Sequence, residues 1–224
     1  MLTEAQIVEA ALKLAGDASL EGVSMRALAR ELGVPVMTVY NYVPSKEALY
    51  ELVLNHVLRP VRVPSPESGS WEERMRRLQT DARRALVNYP GLSLSRHGGG
   101  SAESARLAEG VLSILSSAGF GPDESALVFA TLYTFVTGQL EVDATAELTG
   151  RAEATLDAVT SPAKVSRDKA FEFGLDAVME GLKAKVATER QLRSRARARE
   201  RGRVPSQASP RPEGLQVQEG HLPR

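Results

Sequence analysis

The sequence predicts an all-α protein: a three-helix helix-turn-helix domain at the N-terminus, joined through a fourth helix to a larger helical domain. Three observations carry this. Apolar residues recur at three- and four-residue spacing through most segments between residues 4 and 190. Serine, threonine, proline and glycine stand where those segments start and stop. A very short helical segment, Pro35 to Tyr42, lies between Gly33 and the run Pro44-Ser45-Lys46, with another helix on each side.

Residues 4–15 predict the first helix. Ile7, Ala11, Leu14 and Ala15 share a face that Val8 and Leu12 widen, and Thr3 with Gln6 has capping-box spacing. Gly16 and Gly22 bracket a connector anchored by Leu20 and Val23. Ser24 caps a second helix whose inward residues are Met25, Leu28, Ala29 and Leu32, and Gly33 ends it. Pro35 lacks an N–H and suits the first turn of the third helix. Ser45 caps the fourth, with Ala48, Leu49, Leu52, Val53, Val57 and Leu58 as its stripe. A domain of residues 1–59 is too small for a deep core and must lean on the rest of the chain.

Pro60, Pro64, Pro66 and Gly69 mark residues 60–69 as a linker. The second domain, 70–190, opens with a helix from Trp71 to Asn88 carrying Met75, Leu78, Ala82, Ala85 and Leu86. Residues 91–100 form a broken, glycine-ending segment. A helix over 101–118 follows, with Leu107, Val111, Ile114 and Leu115 apolar, closed by Gly119 and Gly121. Pro122 to about Ala146 is long and strongly apolar, with Leu127, Val128, Phe129, Leu132, Phe135, Val136 and Leu140. The last stripe, Phe171, Leu175, Val178, Met179, Leu182 and Val186, predicts a helix from Arg167 to about Arg190. Two such helices offer more apolar surface than one protomer needs, which fits a homodimer packed across a two-fold axis; central helices of a monomer are the alternative. Residues 191–224 are read as a basic, disordered tail.

Composition narrows the function. Cysteine is absent, which excludes disulfides, thiol catalysis and cysteine-bound metal. No apolar run approaches 18 residues, so no membrane span is expected, and the N-terminus lacks the pattern of a signal peptide; a cytoplasmic protein is expected. The formal charge is zero, but residues 189–224 hold nine arginines against four glutamates, while residues 1–188 hold 19 basic against 24 acidic groups. Glu141 and Asp143 near an apolar helix could form an acidic site, but nothing supplies a nucleophile and base in a recognisable arrangement, so an enzyme is not expected. No His/Asp/Glu set has metal-ligand spacing, and His56 reads as a surface polar residue.

The informative segment is Ser24 to Lys46. In a helix-turn-helix the second helix enters the DNA major groove and the first crosses the backbone. The exposed side chains of the short helix are then the readers: Val36, Met37, Thr38 and Asn41. Asparagine pairs bidentately with adenine, and threonine and apolar groups contact the thymine methyl. Tyr40 and Tyr42 supply hydroxyls for phosphates, Lys46 a point charge, Ser24 a hydroxyl, and Arg26 reaches a base edge or a phosphate. Tyr40 alternatively reads as a core residue. The domain's five basic against seven acidic residues place the burden on a few well-placed donors, because much DNA affinity comes from phosphate neutralisation.

Residues 5–58 resemble the N-terminal domain of the TetR family of bacterial transcriptional repressors. The matching residues are Ile7, Ala10, Ala11 and Leu14, then Ser24, Met25, Arg26, Leu28, Ala29, Leu32, Gly33 and Val34. The strongest runs are Thr38-Val39-Tyr40-Asn41-Tyr42-Val43 and Ser45-Lys46-Glu47-Ala48-Leu49. The second domain resembles the tetracycline-repressor subgroup at Ser70-Trp71, Ala118-Gly119-Phe120 and Phe135-Val136-Thr137-Gly138. The resemblance implies a homodimer on palindromic operator DNA, released when a small-molecule effector enters the C-terminal domain. It implies that Arg26, Thr38 and Tyr42 touch DNA and that Tyr40 and Lys46 clamp phosphates. A DNA-binding activator or dual regulator of the same fold is the alternative, and a helical protein-interaction module a more distant one.

An effector site in such a bundle lies between helices. Leu78, Leu86, His97, Phe129, Tyr133, Phe135 and Phe173 are the candidate lining residues. In tetracycline-binding members a histidine and an asparagine hold magnesium–tetracycline. Here His97 is out of register and Leu78 stands at the asparagine position, so neither that complex nor any other metal or cofactor is expected.

Overall fold

The computed structural model describes residues 2–16, 20–89, 92, 100–149 and 166–201. Its helices are α1 (Glu4–Ala15), α2 (Met25–Glu31), α3 (Val36–Tyr42), α4 (Lys46–Leu58), α5 (Trp71–Val87), α6 (Ala102–Ala118), α7 (Pro122–Thr149) and α8 (Arg167–Arg201), with 3₁₀ turns at Leu20–Gly22 and Pro66–Ser68. The chain forms two compact units, Met1–Val186 and Ala187–Arg224. The second is described only as the continuation of α8 to Arg201. That helix passes the Arg190 end expected from its stripe, so residues 191–201 are helical, not disordered. The alternating Arg-Ala run there carries no apolar face, but alanine and arginine are both strong helix formers. The segments 90–91, 93–99, 150–165 and 202–224, and with them His97 and the rest of the tail expected to be disordered, lie outside the described residues.

Helix ends follow the sequence closely. The Thr3 hydroxyl accepts from Gln6 N–H at 3.3 Å while the Gln6 side chain accepts from Thr3 N–H at 2.9 Å, a full capping box. Ser70 and Glu73 do the same for α5. At the end of α2, Gly33 has φ +67°; its N–H donates to Arg30 O and Val34 N–H to Ala29 O, a Schellman closure that demands a left-handed residue.

In the first unit α1 packs on α2 and α4, α2 on α3, α4 on α5 and α6, α5 on α6 and α7, and α6 on α7. Helix α4 is therefore enclosed from more than one side. Besides the expected Leu49, Val53, Val57 and Leu58, it buries Tyr50 and Leu54. The stretch 60–69 is packed into the same core. Val61 and Pro64 are buried; Arg106 donates to Val61 O at 2.8 Å and Arg74 to Pro64 O at 3.3 Å. Val63 lies so close to Gly110 that a Cβ there would sit 2.6 Å from Val63 Cγ2. The two motifs Ser70-Trp71 and Ala118-Gly119-Phe120 meet as one contact, the Trp71 and Phe120 rings lying edge to face at 5.7 Å.

Helix α7 is long and apolar: over Pro122–Ala144 its mean hydropathy is 1.2, and its charges, Asp123, Glu124, Glu141 and Asp143, stand toward the ends of that span. It serves as a core helix of the bundle, burying Val128, Leu132 and Val136 against α5 and α6. Leu127, on the same helix, is 69% exposed.

Helix α5 buries three polar side chains, Arg74, Gln79 and Arg83. Arg83 donates to Asp143 of α7 at 3.0 Å and to Asp168 of α8 at 2.7 Å, and lies 4.8 Å from the Phe171 ring centre. Both Arg83 and Asp143 are almost wholly buried. Arg76 adds a more exposed pairing to Asp176. Phe135 stacks on Phe171 at 5.5 Å and lies against Gly174, so α7 and α8 close together there.

Two stability predictions follow from these contacts. Arg83→Ala leaves the buried Asp143 carboxylate only its longer contact to Arg167 at 3.8 Å and should cost about 3–5 kcal/mol in urea unfolding, while Arg83→Met with Asp143→Leu should recover most of it. Gly110→Ala should cost about 1–3 kcal/mol by forcing Val63 aside, with an unchanged denaturant slope. Losses below ~0.5 kcal/mol in either single variant would contradict the packing described.

Candidate DNA interface and effector cavity

The short helix α3 is held by two side chains. Val39 and Val43 are buried; Met37, Tyr40, Asn41 and Tyr42 are exposed, and Val36 and Thr38 half-buried. Met37, at 66% exposure, is a large apolar side chain with no core to enter. Tyr40, for which a core position was the alternative, faces solvent. Pro35 stands before the first turn and offers no side-chain cap, and Thr38 N–H donates to Pro35 O at 2.9 Å. The structure thus brings Val36, Met37, Thr38, Tyr40, Asn41 and Tyr42 together on one protruding helix.

The flanking donors are tied down differently. The Ser24 hydroxyl caps α2, accepting from Ala27 N–H at 3.1 Å, which leaves its own O–H free to donate. Arg26 is exposed and has no carboxylate partner among the described residues. The Lys46 ammonium donates to the Glu21 main-chain carbonyl, which seats it beside the turn leading into α2 with two further N–H donors to spare. Lys13 is paired with Glu31 at 2.6 Å; that hydrogen bond and then the carboxylate's charge raise the ammonium's pKa above its ordinary value. One of the domain's few cations is therefore already engaged away from α3.

Between α4, α5, α6 and α7 lies a cavity of about 100 Å³, smaller than the ~300–1,000 Å³ usual for a small-molecule site. Of the candidate residues, Leu78, Leu86, Phe129 and Tyr133 line it. Phe135 does not, being stacked on Phe171, and Phe173 is 78% exposed on α8. Sequence reasoning missed the polar members Gln79, Ser104 and Thr137. Gln79 sat unnoticed in a helix dense with charged residues; its helical register with Met75 and Leu86 was the available signal. The Phe129 and Tyr133 rings stack at 5.9 Å and 22° on the α7 wall, and desolvation raises the Tyr133 phenol's pKa. Among the described residues no group of three or more His, Asp or Glu is placed to hold a metal ion.

A polar joint connects this cavity to the DNA-reading part. Asn55 of α4 accepts from the Ser101 hydroxyl at 2.7 Å and from Glu103 N–H at 2.9 Å. Ser101 in turn caps α6, accepting from Ser104 N–H at 3.2 Å, and Ser104 lines the cavity.

Residues 7–53 match the family described as bacterial regulatory proteins, tetR family, and residues 63–186 match the tetracyclin repressor-like C-terminal domain. The chain belongs to the TetR family. Its relatives include the HTH-type transcriptional repressor DrrR1 of Streptomyces coeruleorubidus, 42% identical over 89 residues, and the class C tetracycline repressor protein of Escherichia coli, 27% identical over 197 residues. The first match spans 39% of this chain and only 32% of DrrR1; the second spans 79% of this chain and 88% of the repressor. An HTH-type transcriptional regulator of Saccharopolyspora erythraea is 30% identical over 146 residues, which cover 64% of this chain and 61% of that protein. Among solved structures, the TetR family protein ActR of Streptomyces coelicolor in complex with actinorhodin superposes with a TM-score of 0.69 at 26% identity, covering 83% of this chain and 99% of ActR.

For the cap at the head of the helix-turn-helix, Ser24→Ala should lower the unfolding free energy by about 1 kcal/mol, whereas Ser24→Asp should restore it. Equal stability of the alanine variant in thermal melts would show that the hydroxyl does not cap α2.

Proposed function

We propose that the chain is a ligand-responsive repressor that binds palindromic operator DNA as a homodimer in the cytoplasm and releases it when a small molecule enters the cavity of α4, α5, α6 and α7. The observation that carries this reading is the Asn55 joint, which ties α4, packed on α1 of the DNA-reading part, to the first turn of α6, whose Ser104 lines the cavity. An effector that shifts this end of α6 must break or drag those two hydrogen bonds, and α4 with them. Repressors among the relatives and the actinorhodin bound to ActR support the same reading.

On this reading Thr38 and Asn41, with Val36 and Met37, meet base edges, while Ser24, Tyr40, Tyr42 and Lys46 meet phosphates and Arg26 either. The dimer surface is supplied by the exposed apolar side chains of α7 and α8, Leu127, Val142 and Phe173, which would otherwise face water. Two reading helices related by a two-fold axis demand a palindrome with half-sites about one DNA turn apart or a multiple of it.

Selection from a random DNA pool should therefore return an inverted repeat. Lys46→Ala should weaken binding across sequences and lower the salt slope by about one unit, whereas Thr38→Ala should change the selected bases. Phe173→Glu should shift sedimentation toward the monomer and abolish operator binding. Asn55→Ala should leave DNA binding in place but blunt its release by effector. Recovery of no preferred sequence, or of a single asymmetric half-site by a stable monomer, would refute the reading.

A further inference from the structure

We propose that α8 from Ala187 onward is a second nucleic-acid element, an arginine arm that grips the sugar-phosphate backbone of duplex DNA without regard to sequence. It takes from the proposed function only that DNA is the partner. Both the C-terminal family match and the first compact unit end at residue 186, so this part of α8 lies outside the matched family fold. Its charge is as separate as its place. Residues 187–203 hold seven arginines and no lysine against two glutamates, whereas residues 204–224 add two of each sign. The arm thus carries the whole positive excess of the C-terminal part, opposite in sign to the 19 basic against 24 acidic groups of residues 1–188. Much of a protein's affinity for DNA comes from phosphate neutralisation, and the reading domain, with five basic against seven acidic residues, supplies little of it.

The helical backbone, continuous to Arg201, fixes where these residues stand. Arg190, Arg193, Arg197 and Arg201 occupy positions within about 80° of one another around the axis, and Arg195 and Arg199 occupy positions on the opposite side. The side chains described past Val186, those of Ala187, Thr188, Gln191 and Arg195, are exposed. Charge on opposite sides of a rod suits a groove with phosphates on both walls, and the DNA major groove admits an α-helix. A flat lipid surface meets a rod on one side only. Leu192 is the one large apolar residue in the arm, too little for an amphipathic helix that enters a membrane or a partner's groove. Arginine, unlike lysine, pairs with phosphate through a planar two-pronged fork. The arm also has a need for anions built into it. Arg193 and Arg197, Arg195 and Arg199, and Arg197 and Arg201 are like charges four residues apart, a spacing that destabilises a helix standing alone. Phosphates relieve that repulsion.

The test uses the full chain carrying Arg195→Gln, Arg197→Gln, Arg199→Gln, Arg201→Gln and Arg203→Gln together, which removes charge but keeps strong helix formers. A matched set places lysine at the same five positions. Binding titrations across a range of salt take a scrambled duplex, poly(U) RNA and phosphatidylserine vesicles as probes. At low salt the glutamine set should bind the scrambled duplex at least about tenfold more weakly than the unaltered chain, with a salt slope lower by about three units or more; the lysine set should keep most of both. Selection from a random DNA pool should return the same sequence for the glutamine set as for the unaltered chain. Unchanged affinity and slope on the scrambled duplex would overturn the arm, as would a larger loss of binding to the RNA or to the vesicles than to the duplex. Failure of the operator reading shows separately: the unaltered chain then selects no sequence, while the glutamine set still loses its hold on the scrambled duplex.

Discussion

Arg83 is the side chain on which the arrangement of the C-terminal helices depends. It extends from α5, pairs with a buried carboxylate of α7, reaches a second carboxylate in the first turn of α8, and lies over an aromatic ring of α8. A buried ion pair adds little net stability, because desolvation offsets most of the Coulomb attraction. What it supplies is selectivity among packings: any slip of α7 or α8 along α5 leaves a bare charge in a low-dielectric interior. The same helix presents Gln79, Ala82 and Leu86 to the cavity. The wall that meets an effector and the clamp that orders α7 and α8 are thus successive turns of one rigid rod.

The N-terminal part solves a different problem. Its reading helix has only seven residues, too few to be stable alone, and is pinned by two valines and by the Schellman turn before it. Its exposed face is free of structural duty. The polar and aromatic residues there are therefore open to choice by the DNA they meet, while the fold is secured by residues pointing the other way. The few cations around it are placed individually: Lys46 is seated by a main-chain carbonyl and Arg26 projects from the first turn of α2. Such an economy suits a domain whose overall charge does not attract phosphates.

Most helix boundaries were legible because caps and stops are local chemistry, as Thr3, Ser70 and Gly33 illustrate. The helix-turn-helix was legible for the same reason, its spacing being set within some 20 residues. Burial depends on what arrives from elsewhere in the chain. Tyr50 and Leu54 lie off the single stripe expected of α4 because that helix meets several neighbours. Arg74 and Arg83 look like solvent-facing charges until their distant partners, Pro64, Ser117, Asp143 and Asp168, are in place. Leu127 belongs to the apolar run of α7 and yet faces outward in the protomer. A stripe records that an apolar face will be covered, but not by which molecule. Phe135 was separable from the cavity only through its stacking on Phe171, a contact across a long sequence distance.

The close approach of Val63 to Gly110 bears on how members of this fold diverge. The segment 60–69 is sewn into α5 and α6 by Arg74, Arg106 and a glycine that admits no side chain. The DNA-reading and ligand-sensing halves are consequently not cassettes that can be cut anywhere between α4 and α5. A chimera joined after residue 69 would set Val61, Val63 and Pro64 against a foreign surface. A functional graft has to carry the Gly110 patch together with the strand of chain that lies on it. Operator preference and ligand preference can drift separately at their exposed and cavity-facing residues, while the seam between them changes only when both sides change at once.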